Sequence, residues 1–164
     1  MKFENEQKYR IGNPKQIRIL LRSLKAKKIF SKTEFNEIFD FEQKLRNQGC
    51  LLRLRHYGSS KGVLTYKGPV LKARHKKRRE TETSVDVKAA KIILESLGLQ
   101  PVAAYSKKRE EYRLGKNTVT LDFLPKAGWF VEIEGSDQEI RKISSKLALT
   151  DNDREERNYL TLSL

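Results

Sequence analysis

The amino-acid sequence predicts an α+β domain in which antiparallel strands close, or nearly close, into a barrel with helices packed outside it. Two observations favour this fold. Segments in which apolar and polar residues alternate are interrupted by three segments with apolar residues at helical spacing. The polar faces of the strands carry full charges of both signs, which a barrel would turn into a polar lumen. The length of 164 residues suits one small core, so we expect a single catalytic domain over residues 1–164.

The first half of the chain is predicted to form five strands and one helix. Asn13 suits the N-cap of that helix and Pro14 its first position, and its apolar face continues to about Lys25. A polar turn is expected over 43–49. The strands are predicted over 2–11, 28–41, 51–57, 62–67 and 78–85.

The second half is predicted to form three strands and two helices. Asp86 suits the N-cap of one helix, which Gly98 ends, and Ser136 with Glu139 has capping-box spacing for the other. The tail from Asp151 is ambiguous, since 159–162 fits a helix and a strand equally. The strands are predicted over 102–114, 118–124 and 129–135, the first two joined by a turn at 115–117.

Composition favours a soluble protein with anionic partners. The formal net charge is +14 and the pI is about 9.9, a balance that suits phosphates, nucleic acid or a membrane surface. No segment approaches the ~20 apolar residues that cross a bilayer, and the start lacks the pattern of a secretory signal. Cys50 is the only cysteine, so no intrachain disulfide can form and we expect a cytoplasmic location.

Full charges on one face of successive strands are the main functional signal. Side chains alternate between the two faces of a strand, so Glu4, Glu6 and Lys8 share a face. The apolar residues on the opposite faces must be buried, and the helices are available to cover them from outside. The charged faces therefore point into the barrel. The inward bases are Lys8, Arg53, Arg55, Lys67, Arg78, Lys107 and Arg109. The inward acids are Glu4, Glu6, Glu80, Glu82, Asp122, Glu132 and Glu134.

Such a lumen points to metal and phosphate chemistry. Buried charges without partners are costly, and neighbouring acids on one strand repel each other. Divalent cations would relieve the acids, and a polyanion would relieve the bases. Carboxylate oxygens suit Mg²⁺ or Mn²⁺, whereas two histidines and one cysteine make zinc a poor candidate. Acids that hold a metal opposite bases that hold phosphate are the arrangement that phosphoryl-group chemistry requires.

The charged segments also follow a characteristic order along nearly the whole chain. Residues 4–8 read ENEQK, an ExExK pattern, and 52–55 read LRLR. They are followed by LTYKGP at 64–69, RRETE at 78–82, KKR at 107–109 with Tyr112, LD at 121–122, FVEIEG at 130–135 and YL at 159–160. This ordered set resembles the CYTH superfamily, also called triphosphate tunnel metalloenzymes.

The resemblance implies an eight-stranded antiparallel barrel with one or two divalent metals and a triphosphate in its tunnel. It implies catalytic roles for Glu4, Glu6 and Lys8. Glu80 and Glu82 would either hold metal or brace the arginines. The implied metal ligands are Glu4, Glu6, Asp122, Glu132 and Glu134. The implied triphosphate ligands are Lys8, Arg53, Arg55, Lys67, Arg78, Lys107 and Arg109.

Three functions follow as alternatives. The first is metal-dependent hydrolysis of tripolyphosphate, a nucleoside triphosphate or thiamine triphosphate. The second is class IV adenylyl cyclase activity, in which the ribose 3′-hydroxyl of ATP attacks and pyrophosphate leaves. Residues 34–40 depart from the QxDxY pattern of cyclase-like members, which weakens this alternative. The third is a polyphosphate- or RNA-binding module without turnover, against which the inward carboxylates argue because they would repel the ligand.

Several other features of the sequence each allow a structural and a functional interpretation. The basic run 72–79 suits a solvated loop or an electrostatic funnel; it lacks the interleaved aromatics of a base-stacking surface, so we expect no nucleic-acid partner. Arg154 and Arg157 either close over the tunnel or lie on the surface. Trp129 is expected in the core. Family members are often dimers, so a homodimer is a further expectation.

Overall fold

The computed structural model describes residues 2–58, 60–71 and 74–163, and eight antiparallel strands in it form a closed barrel. The order around the barrel is β1-β5-β4-β3-β2-β6-β7-β8. The strands are β1 (Lys2–Ile11), β2 (Lys27–Asp40), β3 (Leu51–His56), β4 (Lys61–Lys67), β5 (Lys76–Asp86), β6 (Gln100–Leu114), β7 (Asn117–Leu124) and β8 (Gly128–Glu134). The predicted α+β barrel is confirmed.

Five helices accompany the barrel within the residues that the structure describes. They are α1 (Pro14–Ser23), α2 (Lys44–Asn47), α3 (Val87–Ser96), α4 (Asp137–Lys146) and α5 (Tyr159–Ser163), with a 3-10 turn at Asp151–Asp153. One detail differs from the sequence prediction, and one alternative that the sequence left open is resolved. The expected turn at 43–49 contains the short helix α2, after Gln43 adopts a left-handed conformation with a φ of 61°. The ambiguous tail ends in the helix α5, which packs against the barrel instead of adding a strand.

The predicted helix N-caps form as expected. Asn13 accepts hydrogen bonds from the backbone N–H groups of Lys15 and Gln16, and Asp86 accepts one from Ala89 at 2.8 Å. Ser136 accepts one from the backbone of Glu139 at 3.3 Å. The Glu139 carboxylate accepts from the side chain of Asn117 in β7, so its contact ties α4 to the barrel.

Two apolar layers cover the outside of the barrel. Helices α1 and α4 pack on β1, β6, β7 and β8 through a buried cluster that includes Leu21, Val131, Ile133 and Ile140. Helix α3 covers β2 and β3 through Phe39, Leu54 and neighbours. Each fully buried side chain of this kind stabilises the fold by about 1.5–3 kcal/mol. Because Val131 and Ile133 face this layer, Glu132 and Glu134, which alternate with them along β8, face the lumen.

The barrel strands are strongly offset from one another. Residues 2–6 of β1 pair with 76–80 of β5, whereas residues 6–11 pair with 129–134 of β8. This stagger brings the charged faces of β1, β5 and β8 into one lumen. Inside the barrel, Tyr159 and Leu162 of α5 pack on Phe130 and Leu124. No helix in the described part of the chain is long and apolar enough to cross a membrane.

Candidate functional site

A cavity of about 530 Å³ runs through the barrel, and charged side chains line it. Thirteen of the side chains proposed from the sequence for the site lie in its wall. They are Glu4, Glu6, Lys8, Arg53, Arg55, Lys67, Arg78, Glu80, Glu82, Lys107, Arg109, Glu132 and Glu134. Asp122 lies behind this wall. The alternation of faces along the strands therefore places nearly the whole predicted set in one tunnel, and the roles implied for these residues remain predictions.

The first ionic cluster in the tunnel centres on Lys67. Its ammonium group donates to both carboxylate oxygens of Glu4, at 2.7 and 2.8 Å, and lies 3.0 Å from Glu80. Arg78 approaches Glu4 from β5, with 3.4 Å between its Nε and Oε2. The side chain of Lys67 is only 6% exposed, so these carboxylates compensate a buried charge.

Glu6 lies between acidic and basic neighbours. Its carboxylate is 3.1 Å from the ammonium group of Lys76, and its backbone is directly opposite Glu134 of β8. Burial and the charge of Glu4 raise the pKa of Glu6, but Lys76 and other cations outweigh them and hold this pKa below its ordinary value. Glu6 is therefore ionised at neutral pH. Lys76 was not predicted as a site residue, because its position in the basic run 72–79 hid its place on the inward face of β5.

Asp122 is saturated with hydrogen-bond donors. Its Oδ1 accepts from Arg109 Nε at 2.8 Å, and its Oδ2 accepts from Arg109 Nη2 at 2.6 Å and from Lys107 at 3.0 Å. The hydroxyl groups of Tyr159 and Thr120 donate to Oδ2 at 2.7 and 3.3 Å. Burial raises the pKa of Asp122, but the charges of Arg109 and Lys107 outweigh burial and lower this pKa below its ordinary value. The carboxylate therefore stays ionised. Burial and the charge of Asp122 raise the pKa of Tyr159 well above its usual range.

Glu34 is a second buried carboxylate that the sequence prediction omitted from the site. It is fully buried, lies 3.6 Å from Arg109 and 3.9 Å from Lys107, and reaches Arg55 at 4.0 Å. Burial raises its pKa, and the three cations lower it below the ordinary value. The available signal was its spacing two residues before Asn36, which places both side chains on the inward face of β2.

The arginines beside Glu34 retain unused hydrogen-bonding capacity. The Nε atoms of Arg53 and Arg55 and both amide atoms of Asn36 are buried without a hydrogen-bond partner among the described residues. Arg55 lies 3.6 Å from Glu82, a distance longer than a hydrogen bond. Unpaired buried donors are uncommon in folded proteins, and several of them side by side indicate a place for an acceptor-rich ligand.

The remaining wall residues are partly engaged. Glu132 accepts from Arg109 at 2.7 Å. Lys8 donates to the backbone carbonyl of Arg157 and lies 4.3 Å above the ring of Tyr159. Burial lowers the pKa of Lys8, partly offset by Glu132. In the tunnel wall, acidic and basic side chains thus alternate and contact each other. A bound anion can replace the acids as the partner of the bases, and bound cations can replace the bases as the partners of the acids.

The carboxylate oxygens in the tunnel wall suit a hard divalent cation. Across residues 2–58, 60–71 and 74–163, no three side chains already converge as metal ligands. Glu6 and Glu134 are nevertheless cross-strand neighbours of like charge, an arrangement that destabilises a sheet, and Lys76 at 3.1 Å from Glu6 offsets part of this repulsion. Carboxylate oxygens are the ligands that Mg²⁺ and Mn²⁺ prefer. Asp122 was expected in this set, and its saturation by donors leaves Glu4, Glu6, Glu132 and Glu134 as the more accessible ligands.

Of the other features noted in the sequence, some lie in the tunnel wall and others lie on the protein surface. In the basic run 72–79, Lys76 and Arg78 line the tunnel and Arg79 faces outward, 5.7 Å from the ring of Phe3; Lys72 and Ala73 lie outside the described residues. The Arg157 side chain pairs with Glu155 at 2.7 Å. Arg154 pairs with Asp151 at 2.9 Å. Trp129 packs at the edge of the apolar layer under α1 and α4, as expected.

Comparisons with known proteins agree with this geometry. The CYTH domain model matches residues 2–159. A candidate adenylate cyclase from Vibrio parahaemolyticus superposes with a TM-score of 0.88 at 25% identity, covering 98% of this chain and 97% of that one. A conserved hypothetical protein from Pyrococcus furiosus gives 0.81 at 26% identity, covering 97% and 99%.

A more distant structure shares the fold alone. It is a candidate adenylyl cyclase from Hippeastrum with a dominant triphosphatase activity, with a TM-score of 0.74 at 16% identity, covering 98% of this chain and 94% of that one. No curated protein matches the chain.

Proposed function

The chain belongs to the CYTH family, and we propose that it is a divalent-cation-dependent enzyme that hydrolyses a small triphosphate. Tripolyphosphate, a nucleoside triphosphate and thiamine triphosphate are the candidate substrates. One observation carries the proposal: a single tunnel joins the facing acids Glu6 and Glu134 to arginines whose buried Nε donors have no partner among the described residues. A pure anion-binding tunnel would gain nothing from the facing acids, whereas phosphoryl transfer uses both halves.

The bases of the tunnel would bind and orient the phosphate chain. Arg53 and Arg55 offer guanidinium groups that can bind phosphate oxygens bidentately, and Lys8 adds a point charge. Arg109 is held in place by Asp122 and Glu34 from behind, so its orientation is fixed before the ligand arrives. Such preorganised charges lower the barrier because they need not reorient when charge develops on the phosphate oxygens.

The acids of the tunnel would hold the cation. Glu4, Glu6, Glu132 and Glu134 supply the oxygen ligands, and Lys67 and Lys76 neutralise Glu4 and Glu6 in its absence. When bound, Mg²⁺ or Mn²⁺ would offset phosphate charge and activate water as a nucleophile. Hydrolysis consumes one water, breaks the terminal P–O–P bond and leaves orthophosphate and the shortened chain.

Adenylyl cyclase activity is the second candidate. The similarity to the candidate cyclase of Vibrio parahaemolyticus at 25% identity over nearly the full chain favours it. The same tunnel would bind ATP, and the ribose 3′-hydroxyl would replace water as the nucleophile. The presence of Glu34 and Asn36 where cyclase-like members have the QxDxY pattern argues against cyclisation.

Product analysis tests the proposal directly. Tripolyphosphate, thiamine triphosphate and ATP are each incubated with Mg²⁺, with Mn²⁺ and with chelator. We expect orthophosphate release that requires a cation and ranks the three substrates. Cyclic AMP with pyrophosphate from ATP would establish the cyclase. Tight triphosphate binding without any product would leave a binding module, and RNA binding that weakens steeply with salt and needs no cation would point away from the tunnel.

A further inference from the structure

A polar cluster lies on the outer face of β1, where two segments of the chain meet along one edge of this strand. Pairing of β5 with β1 begins at Lys76, and further along β1 the segment after the 3-10 turn takes its place through a bridge between Tyr9 and Arg154. Lys76 faces the tunnel, so the preceding His75 faces outward, and its Nδ1 lies 3.2 Å from Oε1 of Gln7. Arg154 shares the outward face of Tyr9, so His75 and Arg154 are neighbours outside the barrel.

His75 is buried but retains unused hydrogen-bonding capacity. The residue is 3% exposed. The side-chain amide of Gln7 donates to the backbone carbonyl of Lys8 and to Glu156, so Gln7 Oε1 is an acceptor and His75 Nδ1 carries the proton. The Nε2 of His75 is therefore a bare acceptor, and it has no partner among the described residues. The Nε donor of Arg154 is likewise buried without a partner in the described part of the chain.

Three arginines and one carboxylate act on His75. Arg74 precedes it in the chain and Arg154 lies beside it, while Asp137 and Arg141, one helical turn apart, come from α4. Burial lowers the pKa of His75, the charge of Asp137 raises it, and the charges of the three arginines lower it. The pKa therefore lies below its ordinary value of 6.5, and the ring is neutral at pH 7.

The charges around this neutral ring favour an anion over a cation. Arg74 and Arg141 are exposed, and neither forms a salt bridge with a residue that the structure describes. Arg154 pairs with the exposed Asp151 at 2.9 Å. The arginines would repel a metal ion from the lone pair of His75 Nε2. They would attract an anion, which needs a proton on Nε2 because the bare lone pair would repel it.

We propose that this outer cluster, formed by Arg74, His75, Arg141 and Arg154, binds a small inorganic oxyanion such as orthophosphate or sulfate together with one proton on His75 Nε2. All four are described residues, and none of them lies in the tunnel wall, so the site is separate from the proposed hydrolysis. The anion would accept from His75 Nε2 and from the guanidinium groups. Because His75 Nε2 and Arg154 Nε are buried, the cluster suits a small ion better than a polymer.

Sulfate is the probe, because its charge stays constant at neutral pH whereas that of orthophosphate changes. The chain has two histidines, so comparison with His75→Gln assigns the imidazole NMR signals of His75, and those of His56 serve as an internal control. We expect sulfate to shift the titration of His75 to higher pH. The affinity should be constant below the pKa of the free site and should fall by up to about tenfold per pH unit as the pH rises from there to the pKa of the occupied site.

Arg141→Gln locates the site. It removes an exposed charge that has no salt bridge within the described residues, so we expect an intact fold and a sulfate affinity at His75 about fivefold weaker. Arg22→Gln, on the exposed face of α1, should leave this affinity unchanged. Sodium chloride at equal ionic strength separates binding from screening, because screening of the arginines would also raise the pKa of His75.

Three results would overturn the outer site. They are a titration of His75 that sulfate does not move, an equal shift in chloride, and an Arg141→Gln variant with the affinity of the wild type. An ordered water would then be the partner of the buried Nε2. The measurements contain no triphosphate and no divalent cation, so they decide the outer site whether or not the tunnel hydrolyses a substrate.

Discussion

Asp122 and Glu6 are both carboxylates on inward strand faces, yet their surroundings differ. Asp122 accepts hydrogen bonds from Arg109, Lys107 and two hydroxyl groups, and its side chain is fully buried. Glu6 lies in the tunnel wall, has an ion pair at 3.1 Å with Lys76, and faces Glu134. The same sequence pattern therefore produces a carboxylate saturated by hydrogen-bond donors in one place and a carboxylate in the tunnel wall in the other, and the number of donors around each group distinguishes them.

The largest effect is expected from Asp122→Asn. The change leaves Lys107 and Arg109 buried without their main counter-charge, and breaking a buried ion pair in this way costs about 3–5 kcal/mol. At this chain length the melting temperature should fall by roughly 6–20 °C. Calorimetry measures the shift. Asp151→Asn is the matched control, because Asp151 is 84% exposed and its ion pair with Arg154 contributes little. Equal stability of the two variants would remove Asp122 from its structural role.

Glu6→Gln should lower activity and leave stability nearly unchanged, in contrast to the loss of stability expected for Asp122→Asn. We expect turnover to fall more than about 100-fold, beyond the range that changes to groups merely supporting metal ligands produce. The melting temperature should change little, because the lost pair with Lys76 and the relieved repulsion from Glu4 oppose each other. Turnover of tripolyphosphate checks the expected loss of activity, and a thermal melt of the same sample checks the expected stability. Full activity in this variant would show that Glu6 holds no cation.

Arg55→Ala should weaken binding of the triphosphate more than turnover. Its guanidinium contacts Glu34 and Glu82 only at 4.0 and 3.6 Å, and its Nε has no partner in the described part of the chain, so little structure depends on it. We expect about a tenfold rise in KM for tripolyphosphate, the loss typical of one charge-assisted contact. Arg22→Ala, on the exposed face of α1, is the control. An affinity equal to that of the wild type would exclude Arg55 from the phosphate site.

The sequence revealed the inward residues well, because charge alternation along a strand is a local property. Glu4, Lys67 and Arg109 needed only the period of two and the order of the motifs. Three results required the fold. Lys76 was concealed among neighbouring bases, the ion pairs of Glu34 join β2 to β3 and β6, and the saturation of Asp122 involves β6, β7 and α5 together.

The smallest effect concerns Glu110, a saturated carboxylate on the outer face of the barrel. Arg18, Lys28 and the Tyr112 hydroxyl all contact it, at 2.7, 2.9 and 2.7 Å. Burial raises its pKa, but hydrogen bonds from Arg18, Tyr112 and Lys28 prevail and lower the pKa from 4.5 to about 2. Because the folded-state pKa is depressed, Glu110 stabilises the protein fully above about pH 4.5, and this contribution is lost as the pH falls toward about 2.

Acid unfolding of Glu110→Gln measures this contribution. Solvent screening limits it to about 1 kcal/mol, so the variant should be less stable by that amount at pH 7 and should lose less stability than the wild type between pH 4.5 and 2. Glu95→Gln, which alters an exposed carboxylate of α3, should leave the profile unchanged. Parallel profiles for Glu110→Gln and the wild type would show that donors around a carboxylate do not by themselves make it structural, and the contrast between Asp122 and Glu6 would then depend on burial alone.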